Sequence, residues 1–419
     1  MKKVLSLALC LLLLLSALTG CSSTPAQTQE PAKTEPAETA ETSAQESAAE
    51  PAAETSTDDV EVLKVGFVAP LTGAMSLTAQ YFRTGLQVFE EEHAANGGVV
   101  NEATGKRYKF EFCVEDNEDK PDVTTNAYRK LIDQEGVICV IGPESSKGIL
   151  AAGPVAQEAG VPAISIFGTN EAVTQIGDYI FRACFIDPFQ GYVIAKYAYE
   201  TMGVRTAAVL YNNADAFQVG LNDEFTKNFE EMGGKVVESQ AFSGDDVKDY
   251  SAQLTKIKAA DPELLMMPSN VTQAPLQLWQ IKQLGIDCPI IGGDALDNPA
   301  IIEAAGEEYT DGLIFVSAFS AESTNPVAQE FVKHYHDILG ENPNSTASLT
   351  YEACKILEEA VRTAKDVDCA SIRDAMADIH DLQLPSGSFS FDENRNPVKG
   401  AVILTYEGDH SKLLGTVDP

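Results

Sequence analysis

Residues Val62–Val99 read VLKVGFVAPLTGAMSLTAQYFRTGLQVFEEEHAANGGV, and their reading decides the fold. Val65 to Ala69 is a continuous apolar run, which suits a parallel strand buried on both faces. Pro70, Thr72 and Gly73 break it into a loop. Phe82, Leu86, Phe89 and His93 then recur at three- and four-residue spacing, one face of a helix that stops at Gly97-Gly98. The unit is strand, long loop, helix. In open α/β sheets ligands bind at the carboxyl ends of the strands, where such loops lie.

The unit repeats. Tyr108–Val114 predicts a second strand, Val123–Ile132 a helix and Val137–Ile141 a third strand. Gly142-Pro143-Glu144-Ser145-Ser146 turns into a helix over Ile149–Glu158, and Pro162–Phe167 and Tyr179–Ala183 close the first series. A second series predicts strands over Thr206–Tyr211, Lys235–Glu238, Leu264–Met267, Pro289–Ile291 and Gly312–Phe319 with helices between them. Alternation of this kind implies right-handed crossovers and parallel sheets, here two doubly wound lobes. Ser388–Phe391, Ala401–Tyr406 and Lys412–Val417 suggest short antiparallel strands around turns.

The chain's 419 residues suffice for two domains, and a formal charge of −34 argues against nucleic acid as a partner. Lys2 and Lys3 precede an apolar stretch, Val4–Leu15, too short for a membrane span, and together they mark residues 1–20 as a signal peptide. Leu18-Thr19-Gly20-Cys21 resembles a lipobox, which implies diacylation of Cys21 and a lipid hold on the bacterial cell membrane; an ordinary secretory signal is the alternative. Residues 21–59, poor in large apolar side chains and with Lys33 alone against the acids from Glu30 to Asp59, predict a disordered acidic tether. Cys113, Cys139, Cys184, Cys288, Cys354 and Cys369 show no metal spacing. Cys113 and Cys139 lie in apolar strand runs, so free, buried thiols are expected, with disulfides the alternative in an exported chain.

Val65–Gly73 (VGFVAPLTG), Val140–Pro143 (VIGP) with Ser145-Ser146, Ile164–Thr169, Asp187 with Gln190-Gly191, Tyr250–Ile257 (YSAQLTKI), Gly292–Pro299 (GGDALDNP), Tyr351-Glu352-Ala353 and Phe391–Pro397 (FDENRNP) resemble the branched-chain amino acid-binding lipoproteins of ABC importers. The resemblance runs from about Val62 to the carboxyl terminus. It implies a type I periplasmic-binding fold, with two lobes joined by three crossing strands near Ala183, Leu313 and Leu384. Residues 60–183 and 315–382 would form one lobe, and 184–314 and 383–419 the other. It implies a monomer without cofactor, metal or catalytic residues that passes a small amino acid, branched-chain ones among the candidates, or a related zwitterion to permease subunits.

The family's ligand positions carry over residue by residue. Ser146, with Ser145, would hold the carboxylate at a helix start where free N–H groups favour an anion; both could equally be plain N-cap residues. Phe167 would offer its backbone and Thr169 its hydroxyl, on either side of Gly168, or Thr169 is an ordinary loop residue. Asp294 would face the ammonium, or stabilise a turn. Phe217 stands where the family places a covering Tyr, or is core. Leu77 replaces an aromatic beside the ligand, and Asn270-Val271 replace aromatics after Met267, so the side-chain half of the pocket looks altered.

A hydrolase is disfavoured: the chain has no G-x-S-x-G elbow, no H-E-x-x-H and no P-loop, and His93 lies on an apolar helix face. A sensor of the same fold, acting on a signalling partner, is not separable from a transporter by sequence.

Overall fold

A computed structural model describes residues 60–418; Cys21, the signal peptide and the tether lie outside them. The first sheet holds β1 (Val60–Ala69), β2 (Val99–Val100), β3 (Arg107–Asp116), β4 (Val140–Ile141), β5 (Ala163–Ser165) and β6 (Ile180–Arg182) in the order β2-β3-β1-β4-β5-β6. All neighbours are parallel except β2 and β3. β1 pairs with β3 over its whole length, Val60 opposite Arg107 through Ala69 opposite Asp116. Its buried half is Val65–Ala69, the continuous apolar run. α1 (Ala79–Ala95) covers one face of this sheet, and α2 (Pro121–Arg129) and α3 (Ser146–Ala159) the other.

The second sheet holds β7 (Thr206–Asn212), β8 (Lys235–Phe242), β9 (Leu264–Met266), β10 (Ile290–Gly292) and β11 (Ile314–Ser317), all parallel, between α4 (Asp187–Lys196) and α5 (Ala216–Glu231) on one face and α6 (Ser251–Ala260), α7 (Ala274–Leu284) and α8 (Ala300–Ala305) on the other. After the short helix α9 (Glu307–Thr310) and β11, the chain returns to the first lobe as α10 (Pro326–Leu339), α11 (Ser345–Thr363) and α12 (Cys369–Ala377). A small antiparallel sheet follows: β12 (Leu382–Leu384), β13 (Gly387–Phe391) and β14 (Pro397–Val398). β15 (Ala401–Glu407) and β16 (His410–Val417) then add antiparallel strands beside β11. The result is the two-lobed α/β architecture expected from the strand–loop–helix repeat.

The passages between the lobes differ in detail from the sequence reading. β11 stays in the second sheet as far as Ser317, beyond the 314/315 boundary expected from sequence. The β12–β14 sheet packs on the first lobe: Phe391 meets Phe181 at 5.3 Å, and Arg395 donates to the carbonyls of Thr174 and Ile180. The last passage therefore falls at Lys399-Gly400, not near Leu384. One buried cluster runs through both lobes, from Phe67 and Leu86 to Val193 and Phe225.

The six cysteines of the described residues are unpaired, with Cys139, Cys184 and Cys354 buried. His93 is a structural histidine. Its Nδ1 lies 2.7 Å from Glu358 Oε1 while Nε2 accepts from the N–H of Phe110 at 3.2 Å, so it joins α1 to α11 and β3.

Candidate ligand-binding cleft

A cavity of about 110 Å³ opens between the two rows of strand ends. From the first lobe Met75, Thr78, Phe82, Asp119, Glu144, Ser145, Ser146, Lys147, Phe167 and Thr346 reach it. Asp215, Phe217, Asn270, Val271, Asp294, Ala295, Asp297 and Asn298 come from the second. Most of these stand in loops just beyond β1, β3, β4, β5, β7, β9 and β10, the carboxyl edge of each parallel sheet.

The turn after β4 requires a glycine. Gly142 has φ of +104°, and a Cβ there would run into the carbonyl of Val68. α3 starts immediately afterwards, with Ser145 at its N-cap, but the Ser145 side chain does not cap the helix. Its hydroxyl lies 3.2 Å from Asp119 Oδ1 and 3.3 Å from Glu144 Oε1 instead. The first-turn N–H groups therefore keep their capacity to bind an anion. Ser146 Oγ accepts the N–H of Asn170 at 3.2 Å, which leaves its own proton to donate into the cleft.

Asp294 follows β10 through Gly293, where a Cβ would come within 2.5 Å of Gln190 Oε1 and 2.6 Å of Leu221 Cδ2. That close packing holds the turn: the Asp294 N–H donates to Gln190 Oε1 at 2.7 Å. Asp294 is 3% exposed, and its buried Oδ2 has no hydrogen-bond partner. Burial pushes its pKa up to about 7. Nearby Asp297 uses one oxygen, Oδ2, to accept from Ser317 Oγ at 2.7 Å and from the N–H of Ser345 at 2.9 Å. Asp297 thereby ties the second lobe to the start of α11 in the first.

Charge concentrates at another part of the wall. Lys147 Nζ lies 2.8 Å from Asp119 Oδ2 and 3.1 Å from Asp245 Oδ2 of the opposite lobe. Burial works against its charge, but the two carboxylates more than offset this and hold the pKa above that of an ordinary lysine. Glu144 is 5% exposed and accepts from Asn117 Nδ2 at 3.0 Å. Burial, reinforced by Asp119, drives its pKa far above the usual carboxylate range. Glu118 and Asp119 have φ of +52° and +55°, so two consecutive non-glycine residues take the left-handed conformation to place that carboxylate.

Of the residues singled out from sequence, Ser145, Ser146, Phe167, Phe217 and Asp294 meet at the cavity, and Leu77, Gly168 and Thr169 do not. Leu77 is 50% exposed. It lies in a 3-10 helix, Gly73–Thr78, whose three-residue repeat turns Met75 and Thr78 inward and leaves Leu77 outside. Gly168 is used structurally, its N–H bound to Ser165 Oγ at 3.0 Å and its carbonyl to Arg182. The Thr169 hydroxyl is buried beside the Asp187 carboxyl but outside hydrogen-bonding geometry, one layer behind the wall. Among the described residues no group of three or more His, Cys, Asp or Glu is placed to hold a metal ion.

The family model described as periplasmic binding protein matches residues 62–410. The chain belongs to that family. As a periplasmic binding protein it superposes on a leucine-binding protein LivK from Thermotoga maritima with a TM-score of 0.79 and 29% identity, over 85% of this chain and 99% of that one. The branched-chain amino acid transporter substrate-binding protein LivJ from Streptococcus pneumoniae, solved in complex with isoleucine, gives a TM-score of 0.77 and 28% identity over the same shares. A Leu/Ile/Val-binding protein homolog from Brucella abortus is 27% identical across 85% of this chain and 91% of its own length.

Against that background, the residues missed from sequence in this periplasmic binding protein are mainly polar: Asp119, Glu144, Lys147, Asp215 and Asp297. They come from four separate strand ends, Glu144 and Lys147 sharing the β4–α3 junction, and only the sheets bring them together. The one available signal was position, since Glu144 and Lys147 flank the Ser145-Ser146 pair.

Proposed function

We propose that this protein is the extracytoplasmic substrate-binding component of an ABC importer and closes two lobes on a small α-amino acid. One observation carries the reading. A hydroxyl donor at a helix N-terminus, Ser146, and a buried carboxyl with a free oxygen, Asp294, enter one cavity from opposite lobes. They complement the two ends of a zwitterion. A cavity of about 110 Å³ suits a metabolite rather than a drug-sized ligand. The relatives named for leucine, isoleucine and valine support the amino acid class.

Phe167 supplies a carbonyl at the rim and Phe217 covers the ligand. Cys21 carries the lipid that holds the protein at the membrane; among the described residues no helix is long and apolar enough to cross one. A calorimetric screen of the common amino acids against their des-amino and amide analogues tests the reading. Saturable binding of at least one amino acid, with loss of affinity for both analogues, is expected. Binding of the des-amino acid as tightly as its parent would refute it.

A further inference from the structure

We propose that Asp297 is a second receptor for the ligand's ammonium, so that this group is held between Asp294 and Asp297 and must be a primary amine. This rests on the α-amino acid reading of the site.

The two residues are one turn apart. Asp294 opens a 3-10 turn, Asp294–Leu296, and the Asp297 N–H closes it on the Asp294 carbonyl at 3.0 Å. Side chains three residues apart eclipse in such a turn, so both carboxyls leave it on one side, and both line the cavity. Each residue is 3% exposed. Asp294 Oδ2 is buried without a partner. Asp297 receives Ser317 Oγ and the Ser345 N–H on Oδ2 alone, which leaves Oδ1 over. The turn therefore offers two uncommitted acceptor oxygens. Among the described residues no lysine or arginine of the second lobe lines the cavity to meet them.

A neutral hydroxyl could satisfy one of these oxygens and would leave the other buried without a donor. A primary ammonium brings a positive charge and three N–H donors, enough for both carboxyls and for one carbonyl such as that of Phe167. The two carboxyls are positioned differently. Asp294 is set within the second lobe by Gln190 on α4. Asp297 is held from both lobes, since Ser317 ends β11 and Ser345 begins α11. Its aim at the ammonium thus depends on the lobes lying together, and the ammonium end of the site is complete only then.

Calorimetry on the wild type and on Asp297→Asn tests this, with leucine and its des-amino analogue isocaproate. If leucine does not bind, the tightest common amino acid of the wider screen and its des-amino acid replace the pair. The Asn oxygen can keep the bonds from Ser317 and Ser345, which turns its NH2 toward the cavity in place of an acceptor. The variant should bind the amino acid at least about tenfold more weakly and the des-amino acid as the wild type does. The N,N-dimethyl amino acid, which keeps the charge with a single N–H, should lose at least about tenfold on the wild type. Equal losses of both ligands on the variant, no loss of either, or undiminished binding of the dimethyl compound would each overturn the inference and leave the amino acid reading intact. A crystal structure of the wild-type complex decides the matter if the variant does not fold or the analogue binds too weakly to measure. The ammonium nitrogen should lie about 3 Å from a carboxyl oxygen of each residue, and a nitrogen on Asp294 alone would overturn the inference. Failure of every amino acid in the wider screen would instead remove the reading on which it rests.

Discussion

Lys399 Nζ lies 2.8 Å from Glu352 Oε2, and neither side chain is exposed to solvent. Lys399 stands in the last passage between the lobes and also donates to the carbonyl of Ala183, at the first passage, at 3.3 Å. Glu352, on α11, accepts from the Ser386 N–H at 2.7 Å and the Ser386 hydroxyl at 3.0 Å. One buried ion pair thus gathers two interlobe passages and the β12–β13 turn around a single helix.

Removing one partner of such a pair strands the other as a buried charge, at a cost of about 3 to 5 kcal/mol. Lys399→Met should therefore lower the melting temperature by several degrees, and Lys399→Met with Glu352→Gln should cost less than the sum of the single changes. Calorimetric melting of the four proteins checks this. Additive losses would mean that the two groups act independently.

Asp294 sets a pH dependence of known sign. Its pKa near 7 means that the ligand-free site holds a proton below that pH, and an ammonium needs the carboxylate. Affinity should be flat above about pH 8 and weaken by up to about tenfold per unit below pH 7. Stability runs the other way. The folded pKa lies above the ordinary value of 3.8, so the folded state holds the extra proton between those two values. Stability therefore falls as pH rises through that window, by at most about 4 kcal/mol. Asp294→Asn should raise the ligand-free melting temperature at about pH 8 and leave it unchanged at about pH 4. A parallel pH profile in variant and wild type would contradict the burial argument.

Pairing of Asp294 with the α-ammonium is checked separately. Asp294→Ala should weaken binding by about 2 to 5 kcal/mol, roughly thirty- to several-thousand-fold. The des-amino ligand should lose a similar amount on the wild type and much less on the variant, because both changes delete one interaction. Additive losses across that cycle would make Asp294 a turn residue only.

The strand–loop–helix repeat was legible in Val62–Val99 because buried parallel strands and amphipathic helices have distinct periods. Residues at the end of one strand, such as Ser146 and Asp294, were reachable by the same logic. Less legible was anything set by rotation or by assembly. Leu77 differs from Met75 and Thr78 only by its phase in a short 3-10 helix. Asp119 and Glu144 come from loops 25 residues apart and meet only once β3 and β4 flank β1.

Besides the bond of Asp297 to Ser345, contacts between the lobes include Lys147 to Asp245 at 3.1 Å and Asn170 Nδ2 to the Ala216 carbonyl at 2.9 Å. If the lobes hinge, both should form on closure. Saturating ligand should then reduce the radius of gyration in solution scattering, and Asp245→Ala should raise the dissociation constant by a few fold. An identical scattering profile with and without ligand would point to a preformed pocket.

The anchor is tested in cells. Cys21→Ala should move the protein from the membrane fraction to the soluble extracytoplasmic fraction without altering ligand affinity. Retention of the cleaved variant in the membrane would exclude lipid as the hold.

The 3-10 helix at Gly73–Thr78 has a consequence for how such a pocket diversifies. Because each turn takes three residues, loss of one residue at Thr78 would carry Ala74 and Leu77 round to the inward phase that Met75 and Thr78 now occupy. Two wall positions would change chemistry at once, without any point substitution. Specificity at this loop can therefore drift by insertion and deletion, and relatives compared column by column at Leu77 would be compared out of phase.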